Sequence, residues 1–77
     1  MITPEEIQNI LAVKLPGAEI TVEDMTGTAD HWQVMVLWSG FKGKGLIQQH
    51  QIVNQALTAE LESGRIHALK IKTHIAP

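Results

Sequence analysis

Four histidines and no cysteine bound the chemistry this chain can carry. Without thiolates it forms no disulfide, offers no thiol nucleophile, and cannot by itself hold a thiolate-bound metal cluster or a zinc finger. Imidazole is the nitrogen donor that remains, beside the oxygen donors of eight carboxylates. The histidine of greatest interest is His67, in the stretch Gly64-Arg65-Ile66-His67-Ala68-Leu69-Lys70-Ile71-Lys72-Thr73, which reads as a strand. Alternation places His67, Leu69, Ile71 and Thr73 on one face, and Ile66, Ala68, Lys70 and Lys72 on the other. The lysines want water, so His67 is expected on the packed face. It stands at the upstream end of that face, by the Ser63-Gly64 turn, where a ring nitrogen can reach outside.

The other histidines are weaker candidates. His74 lies an odd number of residues after His67, so within one strand the two rings face opposite sides and cannot chelate one ion. His50 falls on an apolar helical stripe and reads as a core histidine satisfied by one hydrogen bond. His31 opens an apolar strand at the end of the loop Thr26–Asp30, and it alone could converge with His67 at a sheet end. No serine, histidine and carboxylate share the context of a nucleophile elbow, and the acidic pairs Glu5-Glu6 and Glu23-Asp24 read as a helix start and a strand edge. A domain this small has little depth for a substrate pocket, so the chain reads as a non-enzyme. The run Gly40-Phe41-Lys42-Gly43 has the GxxG form that clamps nucleic-acid backbones, but it follows a strand rather than joining two helices, and an ordinary glycine turn is the simpler reading. Nor is it a phosphate-binding P-loop, because no Ser or Thr follows Lys44. Six Lys and Arg against eight Asp and Glu give a net charge of −2, the opposite of a basic nucleic-acid footprint.

These residues need elements to position them, and 77 residues suffice for a single domain with one small core. Thr3-Pro4-Glu5-Glu6 is a helix start with Thr3 as cap, and Ile7, Ile10, Leu11 and Leu15 form its apolar stripe before Pro16-Gly17 ends it. Glu19 to Asp24 alternates, with Ile20 and Val22 inward, as an edge strand does. Trp32 to Trp38 is apolar on both faces and reads as the central strand. From Leu46 to Leu61 the residues Leu46, His50, Val53, Leu57 and Leu61 trace a helical stripe, expected as two short helices with a break near Val53-Asn54. The order helix, strand, strand, helix, helix, strand predicts an α+β domain whose third strand runs parallel to the second, with helices on one face of a mixed three-stranded sheet.

Three stretches carry a resemblance: His31 to Lys44, Gln49 to Leu57, and Arg65 to Thr73. Together they resemble the BolA family over nearly the whole chain, most specifically in Ile66-His67-Ala68-Leu69. The resemblance implies a class II KH-like αββααβ fold and a partnership with monothiol glutaredoxins of the CGFS type. It further implies that the closing-strand histidine, His67 here, ligates a 2Fe-2S cluster shared with the glutaredoxin, whose cysteine and bound glutathione supply thiolates. A chain without cysteine suits a shared cluster, since imidazole can replace thiolate on one iron. The family takes its second ligand, His or Cys, from the loop between the first two strands. Here Met25–Asp30 has neither, the aligned position falls near Thr28, and His31 at the loop's end is the candidate.

Some family members are associated with DNA binding and transcriptional control of morphology and stress genes. The positions flanking the helix histidine, basic in those members, are Gln49 and Gln51 here. Lys42, Lys44, Lys70 and Lys72, with Arg65, are left to form a basic face. A homodimer is left open. No signal-peptide pattern and no apolar run of membrane-spanning length occur, so a cytoplasmic location is expected.

Overall fold

The computed structural model describes residues 2–77, in the element order α1 (Pro4–Lys14), β1 (Glu19–Asp24), β2 (His31–Trp38), a 3-10 turn (Ser39–Phe41), α2 (Leu46–Ala56), α3 (Thr58–Glu62) and β3 (Ala68–Ile75). The start of α1 follows from its residues. Pro4 needs no hydrogen-bond acceptor for its nitrogen, and the Glu6 N–H donates to Thr3 Oγ1 at 3.1 Å. The Glu6 carboxylate does not reach back to the Thr3 amide but turns to the Thr3 hydroxyl and to Arg65.

The sheet order is β1-β2-β3, with β1 antiparallel and β3 parallel to β2. The parallel pair requires a crossover, which α2 and α3 provide. Trp32, Val34 and Val36 alternate onto the face covered by the helices and pack with Ile7, Leu11, Val53 and Leu57, all essentially inaccessible. The αββααβ order, the edge position of β1 and the central position of β2 are as the sequence predicts. The second face of β2 is a different matter: Gln33, Met35 and Leu37 lie on a sheet surface that no helix covers.

The structure corrects three expectations. The last strand begins at Ala68, not Gly64, and runs to Ile75. Its alternation therefore stops short of Ile66 and His67: Ile66 is buried and His67 exposed, the reverse of the pleat-based reading. The cause is local bonding, because the Ile66 N–H donates to the Glu60 carbonyl (3.1 Å) and pulls the segment under α3. The helical break falls at Leu57, and the buried row of α2 is Gln49, Val53 and Ala56, while Leu46 is exposed and His50 half-buried.

Gln49 displaces the expected stripe because it finds partners inside. Its Nε2 donates to the Lys44 carbonyl at 2.9 Å, and its Oε1 accepts the Thr73 hydroxyl from β3. A buried amide so satisfied is tolerated; a half-satisfied one is not. Thr73→Val is thus expected to cost about 1–3 kcal/mol in chemical denaturation, and Gln49→Leu combined with Thr73→Val to recover part of that loss, the Lys44 carbonyl having lost its Gln49 donor.

Arg65 ties the segment before β3 to α1 through an Nη2···Oε2 contact of 2.5 Å with Glu6. The Arg65 hydrogen bond is the largest of the effects that hold the Glu6 carboxyl below its ordinary value of 4.5; slight desolvation opposes it, and the Arg65 charge and Thr3 add to it. A carboxyl lowered on folding stabilises the fold above its unfolded pKa and loses that contribution as pH falls through the folded one. In Arg65→Gln the Glu6 carboxyl, followed by NMR, is expected to titrate nearer its ordinary range, with a shallower loss of stability on the acid side.

Candidate functional site

The β1–β2 connection is held in shape by the residue that ends β1. Asp24 Oδ1 accepts the N–H groups of Thr26 (3.3 Å) and Gly27 (2.9 Å), and Oδ2 accepts that of Ala29 (3.0 Å). Gly27 and Ala29 both take positive φ, 77° and 61°; at Ala29 this left-handed conformation costs about 1 kcal/mol, offset by the bonds to Asp24. The Met25 N–H donates to the His31 carbonyl (2.9 Å), closing the hairpin.

The end of this loop is stitched to the start of β3. The Asp30 carbonyl accepts the N–H groups of both His67 (2.9 Å) and Ala68 (3.2 Å), and register pairs His31 with Ala68. One carboxylate consequently stands between two imidazoles: Asp30 Oδ1 lies 3.2 Å from His31 Nδ1, and Asp30 Oδ2 lies 3.6 Å from His67 Nδ1. Both are ion-pair distances rather than aligned hydrogen bonds, and His31 Nδ1 is buried without a hydrogen-bond partner. Asp30 also accepts the Thr26 hydroxyl (3.3 Å) and the Thr28 hydroxyl. The Thr28 hydrogen bond chiefly holds the Asp30 carboxyl below its ordinary value, against some desolvation, with His31, Thr26 and His67 contributing in the same direction. Asp30 thus takes up its proton at a lower pH than an unperturbed aspartate.

A carboxylate on the Nδ1 side of an imidazole favours the proton on Nδ1 and leaves Nε2 as the free donor, the arrangement seen around many metal-ligating histidines. The His67 side chain is 64% exposed and that of His31 is 45% exposed, so a ligand held by a second molecule has access to both rings. Beside them lies a shallow, largely apolar cleft of about 460 Å³ lined by Met25, Thr26, His31, Trp32, Ala68, Leu69 and Lys70. Among the described residues no group of three His, Cys, Asp or Glu side chains is arranged to hold a metal ion. The site offers two imidazoles, half of the four terminal ligands that a 2Fe-2S cluster takes.

Of the residues singled out from sequence, His67 and His31 are brought together. His74 is exposed on β3, opposite Leu37 and far along the strand from His67. His50 lies in another shallow cleft with Lys72 and His74. The four lysines do not form one patch: Lys70 and Lys72 pair in register with Gln33 and Met35 on the open sheet face, whereas Lys42 and Lys44 lie in the turn before α2, the Lys44 carbonyl joined through Gln49 to Thr73 on the opposite face. The GxxG glycines serve the turn itself. A Cβ at Gly40 would meet the Trp38 ring at 2.5 Å, Gly43 takes a φ of 79°, and Phe41 between them is buried. Asp30, which organises the site, was read from sequence only as a loop residue. Its one sequence signal is a carboxylate directly preceding the histidine that opens a strand.

Residues 7–76 match the BolA-like protein family model. The chain is 34% identical over 74 residues to BolA-like protein 2 of Mus musculus, an alignment covering 94% of this chain and 84% of the mouse protein. It is 36% identical over 78 residues to the Arabidopsis thaliana protein BOLA2, covering 100% of this chain and 82% of that protein. Among solved structures, a bolA protein homologue from Coxiella burnetii superposes with a TM-score of 0.82 at 28% identity, over 97% of this chain and 92% of the other. A family model spanning nearly the whole chain, joined to relatives above 30% identity and the same three-helix, three-stranded architecture, places it: the chain belongs to the BolA-like family.

Proposed function

We propose that this protein is a non-enzymatic adaptor that docks on a monothiol CGFS glutaredoxin and contributes His67, with His31 as the second candidate, to a shared 2Fe-2S cluster. The partner's cysteine and glutathione supply the thiolates, and the output is cluster trafficking or iron and redox regulation. The observation that carries this reading is the pair of accessible imidazoles flanking Asp30 on a chain with no cysteine. Such a donor set is incomplete alone and complete only against a thiolate-bearing partner. The neighbouring apolar cleft supports docking, since an interface core needs apolar surface next to its polar contacts.

Titrating the chain into cluster-loaded glutaredoxin tests the proposal, with visible circular dichroism and the mass of the complex as readouts. A changed spectrum and a mixed complex are expected; a glutaredoxin spectrum that ignores the chain at excess contradicts the adaptor reading. The nucleic-acid alternative draws less support, because Lys70 and Lys72 share their sheet face with Glu19 and Glu23 and stand apart from Lys42 and Lys44. No helix among the described residues is long and apolar enough to cross a membrane.

A further inference from the structure

The sheet face away from the helices is ordered by charge. Register aligns Glu23, Gln33 and Lys70 in one row across the three strands. A second row holds Thr21, Met35 and Lys72, and a third Glu19, Leu37 and His74. The face therefore has an acidic edge on β1, an apolar centre on β2 and a basic edge on β3, every residue of it exposed or half-exposed. The acidic and basic edges are two strands apart, roughly 10 Å, and the side chains do not lean across β2 to pair within the chain. Among the described residues the ion pairs involve Asp30, His31, His67, Glu6 and Arg65, so the four charges of this face have no partner.

A face of this pattern is complementary to itself. A two-fold axis parallel to β2 lays the acidic edge of one copy over the basic edge of the other, setting Glu23 against Lys70 of the second copy twice, while Met35 and Leu37 meet their own counterparts on the axis. A two-fold axis perpendicular to the strands instead sets Glu on Glu and Lys on Lys, which like-charge repulsion disfavours. Sheets packed face to face with nearly aligned strands, about 10 Å apart, are an ordinary protein arrangement. We propose that this open face is where two copies of the chain associate, as an isologous dimer about a two-fold axis parallel to β2. The proposal does not depend on the cluster reading, and because Lys70 also lines the cleft beside His31, the two associations compete for that corner of the sheet.

Three short strands bury little area, so the dimer is weak, with a dissociation constant on the order of hundreds of micromolar. Sedimentation equilibrium and NMR dilution of the full chain up to about 1 mM test it, with concentration-dependent amide shifts expected at Met35, Lys72 and their neighbours. Glu23→Lys and Lys70→Glu are each expected to weaken association about tenfold or more, because each creates two like-charge contacts per dimer. The combined Glu23→Lys and Lys70→Glu protein restores opposite charges and is expected to dimerise within about threefold of the original. Both positions are exposed, and far-UV circular dichroism checks that each variant folds. A chain that stays monomeric at the highest concentration overturns the proposal, as does a double variant no better than the singles or a shift map on the helices. A monomer whose open face responds instead to a short DNA duplex overturns it too, and assigns the lysines to nucleic acid.

Discussion

His67→Ala is expected to abolish the mixed-cluster spectrum that the intact chain induces in a cluster-loaded glutaredoxin, while leaving the chain folded. The two halves of this expectation have separate causes. The His67 ring is largely exposed and approaches the Asp30 carboxylate only at 3.6 Å, so its removal is worth within about 0.5 kcal/mol of stability. Its backbone N–H still donates to the Asp30 carbonyl, which keeps the loop joined to β3. Ligation, by contrast, depends wholly on the ring, and no neighbouring cysteine exists to replace it. His31→Ala is expected to weaken the signal less, because the His31 ring is more enclosed and its Nδ1 is buried. Visible circular dichroism of the mixture, with thermal unfolding of the free variants as control, separates loss of ligand from loss of fold. A His67→Ala protein whose mixed spectrum matches the wild type would falsify His67 as a ligand.

Phe41→Ala is expected to be among the most damaging single substitutions in the core, at about 3–5 kcal/mol. Phe41 is inaccessible to solvent, and its ring meets Trp38 edge-on, with centroids 5.2 Å apart and planes at 86°. The domain has only 77 residues, and at the usual stability per residue it holds about 4–12 kcal/mol in total, so this one cavity removes a large share. The corresponding fall in melting temperature is about 12–40 °C, read by thermal circular dichroism. The damage reaches beyond the cavity, because the turn that Phe41 anchors delivers the chain into α2, whose Gln49 meets Thr73 of β3. Phe41→Leu refills part of the volume and is expected to lose roughly half as much. A drop below about 1 kcal/mol for Phe41→Ala would show that the site collapses or is not packed as described.

The same residues show how much could be read without a structure. Helix α1 was legible because Thr3, Pro4 and the row Ile7, Leu11 and Leu15 act through neighbours in sequence. Strands β1 and β2 were legible from alternation, and β3 in outline, together with the order that makes β2 central. Reading failed where a residue's environment came from elsewhere in the chain. Gln49 is polar and buried because Thr73 and the Lys44 carbonyl satisfy it, so the expected apolar stripe fails at Leu46 and His50, while its Val53 and Leu57 are buried as expected. Ile66 and His67 exchanged their expected surroundings because Glu60 and Asp30 take their amides before the pleat begins.

By itself the sequence determined the element order, the mixed sheet and the absence of thiolates, since these rest on residue type, period and local turn chemistry. Only the tertiary structure decided that His67 faces solvent, that His31 comes to its side, and that Asp30 stands between them. Those facts depend on hydrogen bonds joining the β1–β2 loop to the start of β3, and a contact between segments so far apart in the chain leaves no periodic trace in either one.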